Sequence, residues 1–110
     1  MHKNAKWRKS FQQNFVDGLE VVCAEAKGRQ KGNIVFVHGV CHGAWCWERF
    51  LKYFSEKGYH CFALSLRGHG ESKGRGLCKL FYKLSCYVAD VEKIVEYCQN
   101  KTHAKPYIIG

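Results

Sequence analysis

Apolar positions along the chain fall into two patterns, short runs that are mostly apolar and runs with helical spacing. The short runs are mostly apolar on both faces, as strands covered on both sides of a parallel sheet are. They predict strands at residues 19–26, 34–37, 61–66 and 107–109. A turn at residues 27–32 separates the first two runs, and Pro106 precedes the last.

Helical spacing marks two segments between these strands. In residues 44–57 the apolar side chains lie on one stripe, and Gly58 stops the helix. The members of this stripe are Trp47, Phe50, Leu51 and Phe54. The second stripe consists of Leu84, Val88, Val91, Val95 and Cys98, with Asp90, Glu92, Lys93 and Glu96 on the polar side. The order β-β-α-β-α-β predicts an α/β fold with a mostly parallel sheet, right-handed crossovers and flanking helices.

Length and charge narrow the classes of protein. A chain of 110 residues and 12.7 kDa holds one domain, and 46% hydrophobic residues with a single proline exclude a disordered chain. Eighteen Lys and Arg against nine Asp and Glu give a net charge of +9, which favours anionic partners without identifying one. Basic side chains within residues 3–9 and 73–83 form no recognised binding module, so we predict no specific nucleic-acid partner.

Cysteine use and hydropathy bear on the compartment. The seven cysteines are odd in number and scattered through predicted strands and helices, so they do not indicate a disulfide framework. No apolar run approaches the ~18 residues of a membrane-spanning helix. The basic amino terminus is not followed by the apolar segment of an export signal. These features predict a cytoplasmic location.

Loops at the carboxyl ends of parallel strands are where an open α/β sheet binds ligands. The loop at residues 38–47 contains Gly39 and Gly43, which let a ligand approach the backbone. Its backbone N–H groups are suited to receive a developing negative oxygen. The next such loop, residues 67–76, is also rich in glycine, and a third would follow Ile109.

Three ordered motifs in and around these loops resemble the α/β-hydrolases. Residues 34–47 resemble the oxyanion strand and loop of that family, and their continuation is similar to the plant methylesterase and hydroxynitrile lyase branch. Residues 66–72, Leu-Arg-Gly-His-Gly-Glu-Ser, resemble the following loop of bacterial esterases and lysophospholipases. Residues 87–91 and 106–110 resemble the approach to the nucleophile elbow. The resemblance covers residues 33–110.

The resemblance implies an incomplete α/β-hydrolase fold. Residues 1–18 are then a basic lead segment, and residues 19–110 the amino-terminal part of one hydrolase domain. It implies a serine hydrolase that acts on a small-molecule ester or related acyl substrate through a Ser-His-Asp triad, with no cofactor. Gly110 matches only the first glycine of the G-x-S-x-G elbow, so we expect this chain to stop before the nucleophile and to be inactive alone.

Candidate site residues follow from the same resemblance, which assigns no catalytic residue to this chain. It implies an oxyanion-hole loop with the Val40 N–H as donor. The members of that loop are His38, Gly39, Val40 and Cys41. Trp45 is a candidate for lining a substrate pocket, whereas Trp47 lies on the helical stripe and is expected in the core.

The sequence also allows three other interpretations. Residues 70–74 also fit G-x-S-x-G, but residues 67–70 separate this motif from the strand, so Ser72 is interpreted as a loop residue. Side chains of the types that bind zinc occur at His38, Cys41, His42 and Cys46. They lack a paired C-x-x-C knuckle, so no metal site is predicted.

The alternative function is a noncatalytic basic binding module, or a remnant of a decayed gene that retains the fold. An exposed sheet edge predicts self-association.

Overall fold

The described residues form a five-stranded sheet with a helix packed against each face. The computed structural model describes residues 9–39, 41–74 and 82–110. The strands are β1 (Gln12–Val16), β2 (Leu19–Ala24), β3 (Gly32–Val37), β4 (Tyr59–Leu64) and β5 (Tyr107–Ile109). The helices are α1 (Glu48–Glu56), which a 3₁₀ turn at Ala44–Trp47 precedes, and α2 (Leu84–Thr102).

The sheet topology brings three strand ends together. The strand order is β1-β2-β4-β3-β5. β3 is parallel to both β4 and β5, with Ile34 opposite Cys61 on one side and Tyr107 on the other. β2 is antiparallel to β1 and β4, so the sheet is mixed and its parallel part is β4-β3-β5. The carboxyl ends of β3, β4 and β5 therefore lie at one edge of the sheet.

Each face of the sheet has its own apolar core. Neighbouring residues of β3 point to opposite faces, so Phe36 packs in the core that contains Leu51 of α1, and Val35 in the core that contains Ile94 of α2. All four side chains are fully buried. The chain steps from β3 to β4 in one direction and from β4 to β5 in the other, so two right-handed crossovers put the helices on opposite faces.

The first predicted helix is divided in the structure. Residues 44–57 consist of the 3₁₀ turn followed by α1. The Phe36 ring is contacted by Trp47 and Phe54, whose ring centroids lie 4.9 and 6.0 Å from its own. Gly58, at φ +102°, follows the helix, and its position confirms the predicted stop.

β1 is an element that sequence reasoning left inside the basic lead segment at residues 1–18. It pairs with β2 through a two-residue turn at Asp17 and Gly18, whose φ angles of 49° and 80° are those of a type I′ hairpin. β1 is an edge strand, and its side chains are mostly exposed or half-buried. Because so little of it is buried, it has no apolar run, and the Asp-Gly pair is the local signal that points to it.

The buried face of α2 differs from the predicted stripe. Leu84 and Val88 are 78% and 48% exposed. The buried side chains of α2 are Asp90, Ile94 and Cys98. Asp90 faces inward because it pairs with Arg67, and the positions four and eight residues further on then face the sheet with it. Neither α1 nor α2, the helices of the described ranges, is long and apolar enough to cross a bilayer.

Candidate functional site

The loops after β3 and β4 pack against each other at the edge where β5 also ends. A Cβ atom built on Gly43 would lie 3.3 Å from the Cα atom of Gly70, so the loops touch backbone to backbone. A Cβ atom built on Gly110 would lie 3.8 Å from the Val37 carbonyl oxygen, which places the end of β5 beside that of β3. The structure therefore brings together the two glycine-containing loops that the sequence marks as ligand-binding loops.

The His38 ring connects these two loops. Its Nε2 atom accepts a hydrogen bond from the Leu66 N–H at 2.9 Å, and its Nδ1 atom lies 2.7 Å from the Gly39 carbonyl oxygen. An accepting Nε2 carries no proton, so Nδ1–H is the donor to Gly39. Burial, with a smaller contribution from the neighbouring His69, lowers the pKa of His38 from 6.5 to about 4. The ring is therefore neutral near pH 7.

We expect the neutral His38 ring to make the fold sensitive to mild acid. The ring takes up a proton below pH 6.5 in the unfolded chain, but only near pH 4 in the folded one. The unfolded state then binds more protons, so the stability contribution of the neutral ring is present above pH 6.5 and is lost as the pH falls toward 4. From about pH 7 to about pH 5, the free energy of unfolding should fall by about 2 kcal/mol on this account.

Urea unfolding at those two pH values measures this loss. His38→Gln removes the titrating ring and should abolish most of the loss of stability between about pH 7 and about pH 5. The matched control is His103→Asn, because His103 is exposed and Asn tolerates its positive φ of 61°. The control should keep the loss. An equal loss in His38→Gln would contradict the assignment of this pH dependence to His38.

A second link between the loops runs through Ser65. The Ala44 N–H donates to Ser65 Oγ at 2.9 Å, and the Ser65 hydroxyl donates to Glu20 Oε1 at 2.8 Å. The same carboxylate accepts the Glu71 N–H at 3.1 Å and the Gln13 side-chain amide at 2.7 Å. The start of the 3₁₀ turn, the end of β4 and the β1–β2 hairpin are thereby joined through one buried carboxylate.

An ion pair fastens the loop after β4 to α2. The Arg67 backbone N–H donates to Asp90 Oδ2 at 2.9 Å. The Arg67 side-chain atom Nη2 lies 2.8 Å from Asp90 Oδ1. The Asp90 side chain is 2% exposed and that of Arg67 is 25% exposed. Hydrogen bonding to Asp90 raises the pKa of the Arg67 guanidinium above its usual value, so the guanidinium stays charged. The guanidinium carbon also lies 5.6 Å from the centre of the Tyr82 ring.

The predicted oxyanion-hole loop, residues 38–41, lies at the carboxyl end of β3. Val40 is outside the described residues. Cys41 is exposed and has a φ of 68°, so the backbone turns sharply after the strand. The N–H groups of His42 and Ala44 are bound within the fold, 3.2 and 2.9 Å from their acceptors. These two N–H groups are therefore not available to a substrate oxygen, and the donor role of residues 38–41 stays a prediction.

Ser72 is held as part of the structure. Its hydroxyl donates to the Ser65 carbonyl oxygen at 2.5 Å and accepts the Glu20 N–H at 2.8 Å, and the residue is 2% exposed. A hydroxyl bonded in both directions to buried backbone is not placed to attack a substrate. The geometry agrees with the interpretation of Ser72 as a loop residue.

The remaining sequence candidates lie on the α1 side of this edge. Trp47 and Trp45 both pack against the core beneath α1, and the Trp45 ring lies 5.7 Å from that of His42. The role of Trp45 in a substrate pocket stays a prediction.

The side chains of the types that bind zinc do not form a cluster in the described parts of the chain. His38 uses both ring nitrogens in hydrogen bonds, and no group of three potential metal ligands occurs in those parts.

Two buried carboxylates at this edge escaped sequence reasoning. Glu20 interrupts the apolar run that became β2, and Asp90 was assigned to the polar side of α2. Charged residues of an amphipathic helix normally face solvent, which explains that wrong assignment. An acidic residue inside an apolar strand was the available signal for Glu20, since a buried charge requires hydrogen-bonding partners.

Comparisons with known families and structures bear on the fold. The family model Hydrolase_4, described as serine aminopeptidase, S33, matches residues 28–110. The crystal structure of epoxide hydrolase VrEH1 from Vigna radiata is similar with a TM-score of 0.67 at 19% identity, over 82% of this chain and 28% of that one. The thioesterase domain from the curacin biosynthetic pathway has a TM-score of 0.66 at 15% identity, over 79% of this chain and 33% of that one. These similarities confirm the fold class predicted above.

Curated relatives match shorter segments. Esterase PIR7B of Oryza sativa subsp. japonica is 35% identical over 51 residues, 46% of this chain and 19% of the relative. Methylesterase 10 of Arabidopsis thaliana is 43% identical over 42 residues, 38% of this chain and 15% of the relative. Caffeoylshikimate esterase of Arabidopsis thaliana is 34% identical over 68 residues, 61% of this chain and 18% of the relative. The chain thus spans less than a fifth of the length of these relatives.

Proposed function

Because the chain belongs to the α/β-hydrolase superfamily, in the serine aminopeptidase S33 family, we propose that the whole protein hydrolyses a carboxylic ester or a related acyl substrate. The observation that carries this proposal is the loop after β3. It is braced by His38 and Ser65 and lies beside the end of β5, where an elbow serine would follow. The names of the relatives, an esterase, a methylesterase and a caffeoylshikimate esterase, support an ester substrate.

The proposed mechanism divides the work between this chain and residues that follow it. A serine in an x-Ser-x-Gly motif after Gly110 attacks the substrate carbonyl, a histidine takes its proton, and an acid orients the histidine. Residues 38–41 supply the backbone N–H, that of Val40, which receives the negative charge developing on the carbonyl oxygen. One such donor lowers the barrier by about 3–4 kcal/mol in a complete site, and the 110-residue chain alone is then inactive.

We also propose a cytoplasmic setting with no cofactor, and a small-molecule substrate that contacts Trp45. The thiols support the first point, because the six cysteines of the described ranges are all free. Cys78 lies outside those ranges. Burial raises the pKa of the Cys23 thiol to about 11 and that of Cys61 to about 12, so both stay protonated and unreactive near pH 7.

The test begins with the coding sequence beyond the codon of Gly110. The expected continuation is x-Ser-x-Gly, with an acid and then a histidine further on. The complete product should hydrolyse p-nitrophenyl acetate or butyrate with saturation, and replacing the elbow serine by alanine should lower kcat by about 10⁴-fold or more. Ser85→Ala, at an exposed position on α2, is the matched control and should leave the rate unchanged.

Two results would overturn the proposal. One is a continuation without the serine motif. The other is a folded complete product that does not hydrolyse either ester. Retention of the 110-residue chain on an anionic matrix, with a steep dependence on salt, would then favour the basic binding module.

A further inference from the structure

The candidate site contains a buried carboxylate to which the mechanism above gives no role. Glu20 is 1% exposed, and its carboxylate accepts hydrogen bonds from the Ser65 hydroxyl, the Glu71 N–H and the Gln13 side chain at 2.8, 3.1 and 2.7 Å. Donors of this kind stabilise a buried carboxylate in its charged form. Glu20 thus lies at a junction between β1, β2 and the loop after β4.

The backbone of Glu20 is tied to the same loop. Its N–H donates to Ser72 Oγ at 2.8 Å, and its carbonyl oxygen accepts the Ser65 N–H at 2.8 Å. These bonds fix the position of the Glu20 side chain relative to Ser65. The carboxylate therefore meets the Ser65 hydroxyl in one defined geometry.

The direction of the Ser65 hydroxyl is the important consequence. A carboxylate only accepts hydrogen bonds, so the Ser65 proton must point at Glu20. The oxygen lone pairs are then left for the Ala44 N–H, which lies 2.9 Å away. Without the carboxylate the hydroxyl is free to rotate, and the bond to Ala44 loses its fixed acceptor.

We propose that Glu20 is a positioning residue of the hydrolase site, which acts through Ser65 to hold the oxyanion loop in its binding geometry before substrate arrives. The inference rests on the proposed function. Ala44 anchors the carboxyl end of the segment that contains residues 38–41, so fixing its N–H restricts the conformations of that segment. Donors fixed in advance spend no free energy on reorganisation during the reaction, which is why preorganisation accelerates it.

Amide hydrogen exchange, followed by NMR on the 110-residue chain, tests the structural half of this inference. Glu20→Met replaces the buried carboxylate acceptor by an apolar side chain of similar length. Exchange of the Ala44 and Glu71 amides should rise about tenfold, while the Leu66 amide, bound to His38, keeps its protection. Glu20→Gln, which keeps a carbonyl acceptor, should restore most of the protection.

Controls separate a local effect from general destabilisation. Glu25→Gln changes an exposed acidic residue just beyond β2 and should leave all three amides unchanged. Should Glu20→Met fail to fold, Glu20→Asp withdraws the carboxylate from Ser65 by one methylene and carries the same expectation. The inference is overturned if Ala44 exchange does not change, or if Leu66 and the strand amides accelerate with it.

The kinetic half uses the complete product. Glu20→Met should lower kcat for p-nitrophenyl ester hydrolysis about tenfold with little change in KM, because the oxyanion forms only in the transition state, and Glu20→Gln should recover most of the rate. If the exchange pattern appears but the unmodified product hydrolyses no ester, the proposed function is wrong, whereas the hydrogen-bonded link from Glu20 through Ser65 to Ala44 is supported. If the product is active and Ala44 exchange is insensitive to Glu20, only the proposed role of this link is wrong.

Discussion

Asp90→Asn should lower the free energy of unfolding by about 3 kcal/mol, because it removes the charge from a buried ion pair and leaves the guanidinium of Arg67 without its counter-ion. Asn keeps the shape of Asp but has one acceptor where Asp90 receives both the Arg67 backbone N–H and the guanidinium. Its NH₂ group would face a donor. The desolvation cost of the arginine remains while most of the attraction is lost.

The matched control is the exposed ion pair between Asp17 and Lys93. Their contact is as short, at 2.7 Å, but the two side chains are 64% and 45% exposed. Solvent screens such a pair, so Asp17→Asn should leave stability unchanged. Asn also tolerates the positive φ of 49° at this turn position.

Urea unfolding at neutral pH, followed by circular dichroism, compares the two variants. If Asp90→Asn and Asp17→Asn destabilise the chain equally, burial is not what makes the Arg67 pair important. A loss confined to Asp90→Asn supports the ion pair as the reason why α2 turns Asp90 toward the sheet.

The parallel part of the fold was predictable because its sequence signals are local. Ile34 and its neighbours in β3, like the run that became β4, are buried on both faces, and such runs stand out as unbroken apolar segments. Gly58 marked the end of the first helix for a similar reason, since a positive φ is easiest for glycine. The loop after β3 was found because the site lies at the end of such a strand.

The rest of the architecture depends on pairs of residues far apart in sequence. The side that Asp90 takes on α2 is decided by Arg67, 23 positions earlier. The burial of Glu20 is made possible by Ser65, 45 positions away, and by Glu71, 51 positions away. Hydrophobic periodicity depends only on the neighbouring residues in the same segment and contains no information on distant partners. It therefore predicts that a lone acidic residue faces solvent. β1 differs, because its Asp-Gly turn was a local signal for a hairpin.

Gly70→Ala should have the largest effect on stability, a loss of about 4 kcal/mol or more, because its Cβ has no space and its backbone is unfavourable for alanine. At φ +50° the new Cβ atom would lie 2.7 Å from Glu20 Oε1 and would overlap Ser65 Oγ. Both atoms belong to the hydrogen-bonded link that runs from Glu20 in β2 through Ser65 to Ala44. The network then has to open, which leaves buried polar groups without their partners.

Gly28→Ala separates the two causes of this loss. Gly28 also has a positive φ, +72°, but no atom lies within 4 Å of a Cβ built there. It should therefore show only the backbone cost of alanine in the left-handed region, about 1 kcal/mol. The difference between the two variants in urea unfolding measures the steric intrusion at Gly70 alone. Equal losses would mean that the loops after β3 and β4 separate easily, and that the site is not braced in the way the Glu20 and Ser65 contacts indicate.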